Sequence, residues 1–127
     1  MIIPFERDSI SKLILVDVIV DEWHKLTMAI DTAATNTTID ATALRISEYF
    51  LKDSVGKVEI ETANGDVEAD IFEVNSLSLF SIEHHPFQIQ VYNFIDQEES
   101  EYHGLLGLDF FEGRKFCIDL NANVITL

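Results

Sequence analysis

Apolar residues recur at every second position through most of this 127-residue chain, and that period limits its fold more than any other feature. Val58, Ile60 and Thr62 alternate with Glu59 and Glu61, and Phe87, Ile89 and Val91 alternate with Gln88 and Gln90. Side chains of a strand point to opposite faces in turn, so this spacing buries one face and wets the other; a helical repeat of 3.6 would scatter both sets. The expectation is an all-β chain with little helix. Leu13 to Val20 reads as a first strand, Asp21 to His24 as its turn, and Leu26 to Ile30 as the returning strand. Thr35 to Ile39 is β-branched and follows as a strand, whereas Ile46 to Lys52 fits helix and strand equally.

Val55 to Thr62 and Val67 to Val74 flank Ala63-Asn64-Gly65-Asp66, and Asn-Gly predicts a tight hairpin because both residues tolerate positive φ. Leu77 to Ile82 and Phe87 to Phe94 form two more strands, divided by Glu83-His84-His85-Pro86, where proline cannot continue a ladder. The acidic stretch Asp96 to Glu101 is a solvated loop. Gly104-Leu105-Leu106-Gly107-Leu108-Asp109-Phe110-Phe111 leads into a short helix, and Phe116 to Leu120 and Val124 to Leu127 are strands turning at Asn121-Ala122-Asn123. No repeat or linker divides the chain, so residues 1–127 are expected to form a single domain, large enough at 47% hydrophobic content to bury a core.

A net charge of −15 repels phosphate backbones and anionic lipid, so neither nucleic acid nor a membrane surface is an expected partner. Met1 to Asp8 has no basic segment, and the apolar run from Leu13 to Val20 is short and broken by Asp17, so neither a signal peptide nor a transmembrane span is expected. Cys117 is the single cysteine, flanked by Phe116 and Ile118, and is expected to pack as a small buried hydrophobe; that usage suits a reducing, cytoplasmic setting.

Two stretches carry chemistry when taken together. Ile30-Asp31-Thr32-Ala33-Ala34-Thr35 puts a carboxylate at the end of a strand, in a turn of small residues where backbone can approach a ligand. Leu106-Gly107-Leu108-Asp109-Phe110 follows much later, after the hairpin. In this order the motifs resemble the retropepsin-like aspartic protease family, in its cellular and bacterial branch, over nearly the whole chain. The resemblance implies a closed β-barrel with one short C-terminal helix, and a homodimer with its active site on the two-fold axis. Asp31 is then the catalytic residue. Thr32, Ala33, Ala34, Thr35, Leu106 and Gly107 support it, and Ala63, Asn64, Gly65 and Asp66 form a flap over the substrate.

Peptide hydrolysis of this kind uses two carboxylates sharing one proton, one activating water and the other polarising the scissile carbonyl. The motif occurs once, so the second carboxylate must come from another copy of the chain across a two-fold axis. A coupled pair of this kind implies an acidic-to-neutral optimum. The partner expected besides a second subunit is a peptide or protein substrate, and no cofactor or metal is implied. Thr32 would brace the partner's loop, and Ala34, lacking a hydroxyl, implies a less acidic optimum. Ala33 departs from the glycine usual in the family, which adds a Cβ beside the substrate. The alternative is a catalytically impaired homodimer that binds peptides or proteins. A third reading is an unrelated acidic β-barrel that binds a small ligand. The retroviral pairing of an acidic residue with an arginine is replaced here by Thr35 and Leu108, which leaves no stranded charge.

The remaining polar residues are read structurally. Adjacent His84 and His85 point to opposite faces of an extended segment and lack a third ligand, so they form a loop pair, and Tyr102-His103 belongs to the solvated loop. Asp109 is expected to cap the short helix through its backbone amides. Trp23 and His24 lie on a turn, where they either contact a partner or close the barrel end.

Overall fold

The computed structural model describes residues 1–46, 53–95 and 100–127. In chain order the strands are β1 (Ile2–Pro4), β2 (Glu6–Arg7), β3 (Ile14–Val20), β4 (His24–Ile30) and β5 (Thr38–Asp40). A helix α1 (Ala41–Ile46) comes next, then β6 (Gly56–Thr62), β7 (Gly65–Val74), β8 (Leu77–Leu79), β9 (Ile82–His84), β10 (Phe87–Tyr92) and β11 (Gly104–Leu106). After a 3-10 turn at Leu108–Phe111 come β12 (Cys117–Asp119) and β13 (Val124–Thr126). The ambiguous Ile46 to Lys52 segment lies outside the described residues beyond Ile46, as does most of the acidic loop; Glu101 is described and accepts the Ser9 amide.

Alternation sets the core as expected. In β3 and β4, Val16, Val18, Val20, Leu26 and Met28 are all buried, and they meet Phe72, Val74, Leu77, Leu79, Ile89, Leu106 and Phe110 in one apolar cluster. Burying a large aliphatic side chain contributes about 1.5–3 kcal/mol, so these positions dominate the stabilising side of folding.

The barrel does not close. The large sheet is ordered β6-β7-β10-β5-β11-β4-β3-β8-β9, with β2 added on β3, and β6 and β9 remain its edges. The reason is local. The β6 edge carries Lys57, Glu59 and Glu61 on exposed positions, and the three-residue β9 runs into Pro86, which has no N–H to donate; charge and proline both blunt edge pairing. The chain ends form a second sheet, ordered β1-β13-β12.

Several local expectations change. The expected strand Leu77 to Ile82 is a hairpin, pairing Leu79 with Ile82 around Phe80-Ser81. Leu79 and Ile82 are both buried although their spacing breaks the period of two, and Phe80, at φ 52°, is turned out to solvent. The short C-terminal helix is a single 3-10 turn, and the α-helix of the described residues is α1, started by Asp40, whose carboxylate accepts the Thr42 amide at 3.1 Å. Thr35 to Thr37 are irregular, and β5 begins at Thr38. Cys117 is exposed rather than buried, because β12 is the outer strand of the small sheet.

The hairpin is present with a different tip. Thr62 pairs with Gly65 across Ala63-Asn64, and Gly65 alone takes a positive φ, at 104°. That is the form in which two ordinary turn residues precede a left-handed glycine, instead of Asn-Gly filling both central positions. Thr62 seals it, its hydroxyl donating to the Gly65 carbonyl at 2.6 Å and accepting the Asn64 amide at 3.2 Å.

Candidate active site

Asp31 follows directly from β4, which is flanked by β3 and, in parallel, by β11. Its amide donates to the Leu106 carbonyl at 3.0 Å, extending the β4–β11 ladder by one bond, and its own carbonyl accepts the Ala34 amide at 3.1 Å, which turns the chain sharply. Asp31 Oδ1 accepts the Ala33 amide at 2.9 Å. One carboxylate oxygen is thus fixed by backbone, and the half-buried side chain faces a cleft of about 590 Å3. Ala33 lies outside the positive-φ region, so this turn accommodates a Cβ without backbone strain, and the methyl group lines the cleft.

The turn is held from behind by the segment after β11. Leu108 N donates to the Ala34 carbonyl at 2.8 Å and Asp109 N to the Thr35 carbonyl at 3.2 Å. Gly107 makes this approach possible: a Cβ there would lie 2.8 Å from the Ala34 oxygen and 2.8 Å from the Asn36 carbonyl carbon. Gly104 is constrained in the same way, with the Thr38 carbonyl oxygen against the place where its Cβ would lie, so β11 fits between β4 and β5 only with glycine at this position. Leu106 is fully buried.

Asp109 does not cap the 3-10 turn. Its carboxylate oxygens each lie 2.9 Å from the Thr37 amide, and Oδ1 also accepts the Thr37 hydroxyl at 2.7 Å. That hydroxyl in turn accepts the Gly107 amide at 3.1 Å. Asp109 and buried Thr37 therefore clasp the two loops that carry Asp31 and Gly107. Thr37 carries no sequence signal of this role, because its partner lies 72 residues away.

Across the cleft, Ile60, Glu61, Thr62 and Ala63 of the hairpin complete the lining with Thr38, Gln90, Tyr92 and Leu105. The cross-strand pairs Val58–Ala69 and Ile60–Val67 share one face with Thr62, while Lys57, Glu59, Glu68 and Asp70 occupy the other. On that outer face Lys57 lies 3.2 Å from Asp70 and 3.3 Å from Glu68, and hydrogen bonds to these two carboxylates raise its pKa. Of the expected flap residues, Ala63 lines the cleft, Asn64 shares the tip with it, and Gly65 and Asp66 begin β7. Thr32, Thr35 and Asn36 are exposed at the rim, and the Thr32 hydroxyl has no hydrogen-bond partner among the described residues.

The histidines are more structural than their sequence context implies. His84 ends β9, its Nε2 2.8 Å from the Phe110 carbonyl and its ring against Phe87 and Phe110, while His85 lies 3.0 Å from Glu83. His103 Nδ1 accepts the Thr27 amide at 3.0 Å, closing β4 where β11 has not yet begun; burial, then the proximity of His24, lowers its pKa. Trp23 is 62% exposed and stands edge-on to His24 at 5.2 Å, on the turn at the far end of β3 and β4 from Asp31. A second cavity, of about 690 Å3 between Phe5, Asp17, Lys25 and Phe80, excludes Asp31 and the hairpin. Among the described residues no group of three or more His, Cys, Asp or Glu is arranged to hold a metal ion, and no helix is long and apolar enough to cross a membrane.

Residues 16–110 match a protein family described as aspartyl protease. No curated protein matches the sequence. Among solved structures, the chain is similar to a retropepsin-like aspartic protease from Rickettsia conorii, at 21% identity and a TM-score of 0.71, over 98% of this chain and 86% of that one. It is also similar to EIAV protease in complex with the inhibitor HBY-793, at 17% identity and a TM-score of 0.64, over 86% of this chain and 96% of that one. At these identities the likeness establishes a retropepsin-like, mostly β fold.

Proposed function

The chain belongs to the aspartyl protease family, and from that premise we propose that it is an aspartic endopeptidase whose dyad is Asp31 from each of two identical subunits. The observation that carries this reading is the placement of Asp31. Its carboxylate is held by one backbone amide at the floor of a cleft, in a turn locked from behind by Gly107, with a hairpin as the opposite wall.

In the dyad, like-charge repulsion keeps one proton shared between the two carboxylates. The ionised Asp31 takes a proton from a water molecule as its oxygen attacks the peptide carbonyl. The protonated Asp31 gives its proton to the carbonyl oxygen, forming a neutral tetrahedral diol. Collapse of the diol returns a proton to the dyad while the amide nitrogen is protonated and the C–N bond breaks. Thr32, exposed at the rim, braces the partner's turn, and the apolar face of the β6–β7 hairpin covers an extended peptide.

Ala33 supports this assignment over that of an inactive binding module, since its methyl group sits in the turn without positive φ and leaves the Ala33 amide bonded to Asp31. The test is incubation of the purified protein with a mixed peptide library from acidic to neutral pH. Cleavage that disappears in Asp31→Asn and is blocked by a statine-type inhibitor is expected. Binding of peptides without cleavage at any pH would replace this reading with the binding module.

A further inference from the structure

The cleft beside Asp31 has a polar floor next to aliphatic surface, and that contrast selects what can occupy it. The strand register sets Leu105, Thr38 and Gln90 side by side in one row across β11, β5 and β10, and all three line the cleft. Tyr92 lies two residues beyond Gln90 on the same face of β10, because side chains of a strand alternate, and it lines the cleft as well. Leu105 at the end of the row and Ile60 across the cleft supply the aliphatic surface.

The polar groups of this floor are available to a ligand. Thr38 is buried, and its hydroxyl donates to the Asn36 carbonyl at 3.3 Å, which leaves its own oxygen able to accept. Gln90 is half-buried; its backbone amide donates to the Thr37 carbonyl at 3.0 Å, whereas its side-chain carboxamide has no hydrogen-bond partner among the described residues. The half-buried Tyr92 hydroxyl is unpartnered among the same residues, and burial raises its pKa, so it keeps its proton and can donate. Among the described residues the charged side chains lining the cleft are those of Asp31 and Glu61, with no Lys, Arg or His.

Resting on the endopeptidase reading, we propose that this row is a side-chain subsite for a carboxamide, so that the enzyme selects peptides carrying Gln or Asn at a fixed distance from the scissile bond. A substrate carboxamide pairs reciprocally with that of Gln90, each N–H donating to the other's carbonyl oxygen. Its second N–H is left for the Thr38 hydroxyl oxygen, and its second lone pair for the Tyr92 hydroxyl. Competing side chains each lose something in this place. An aliphatic one strips water from the Gln90 carboxamide and leaves it unpaired. A carboxylate enters a cleft whose charged groups are themselves carboxylates, with no cation to compensate it. An ammonium or guanidinium group is desolvated against a floor of neutral groups.

Matched peptides test the subsite. Sequencing the products of a mixed peptide library cut by the wild-type protein should show Gln or Asn enriched at one distance from the cleaved bond. Two peptides that differ only there, Gln against Met, should differ about tenfold in kcat/KM in favour of Gln, since Met keeps the length of Gln and lacks its polar groups. Gln90→Met should bring that ratio to about one or invert it, and Gln90→Glu should move the enrichment to Lys and Arg. A purely structural role for Gln90 would change kcat/KM for both peptides by the same factor, and circular dichroism shows whether each variant is folded. An active wild-type protein with no preference for Gln or Asn, or an unchanged ratio in folded Gln90→Met, overturns the subsite and leaves the dyad standing; should Gln90→Met fail to fold, an unchanged preference in Gln90→Glu is the same contradiction. If the wild-type protein cleaves nothing, the dyad reading fails, and the ratio of dissociation constants between library peptides that differ only by Gln for Met then decides the subsite.

Discussion

Gly107 shows how closely the candidate site is built around single atoms. A methyl group there meets backbone on the Asp31 side of the cleft, where nothing is a flexible side-chain end that could move away. Gly107→Ala is expected to destabilise the protein by about 1–3 kcal/mol, as overpacking does, and to lower kcat more than its effect on KM, because the displaced turn carries Asp31. Thermal unfolding and steady-state kinetics on the folded variant check both. Ala33 is the opposite case. With no positive φ to satisfy, Ala33→Gly only removes a methyl group from the cleft and loosens the unfolded chain; it should cost about 0.5–1 kcal/mol of stability and raise kcat/KM. Unchanged or lower turnover would show that the methyl group contributes to substrate packing. Asp31 and Gly107 were legible in the sequence because short motifs hold them. The Thr37–Asp109 clasp was not, since two residues distant in sequence meet only through the close approach that Gly107 permits.

At the scale of elements, periodicity located most strands and misjudged their ends. Leu77 to Ile82 reads as one strand until the phase shift between Leu79 and Ile82 is set beside the turned-out Phe80, and Cys117 looks internal until β12 is found at an edge. The start of β11 was likewise hidden, because His103 continues its pairing with β4 through a ring nitrogen. This junction carries a pH prediction. His103 Nδ1 must stay unprotonated to accept the Thr27 amide, and burial and His24 lower its pKa from the ordinary 6.5, against weaker opposing effects of the Thr27 backbone, Asp17 and Asp40. The unfolded chain therefore takes up the proton first as pH falls. The stabilisation is complete above about pH 6.5 and is lost as pH drops through the folded value. His103→Asn, with a carbonyl oxygen in place of Nδ1, should flatten the decline of Tm between neutral and mildly acidic pH relative to wild type. Parallel Tm profiles of the two proteins would contradict this.

For the molecule as a whole, the sequence pointed to the retropepsin-like fold through the order of its motifs, and the similarity to solved structures bears that out. It did not disclose the open sheet, which depends on how β6 and β9 are blunted, or the small sheet, which joins residues from opposite ends of the chain. Those features bear on the central claim, that one Asp31 is half of a site. The most direct test is a mixing series at constant total protein, well above the dimer dissociation constant, in which wild-type subunits are progressively replaced by Asp31→Asn and peptide hydrolysis is followed. If both carboxylates are required, activity follows the square of the wild-type fraction, so that a half-and-half mixture retains about a quarter of full activity. A linear decline, with about half the activity left at that point, would mean that each subunit works alone and would contradict the dyad.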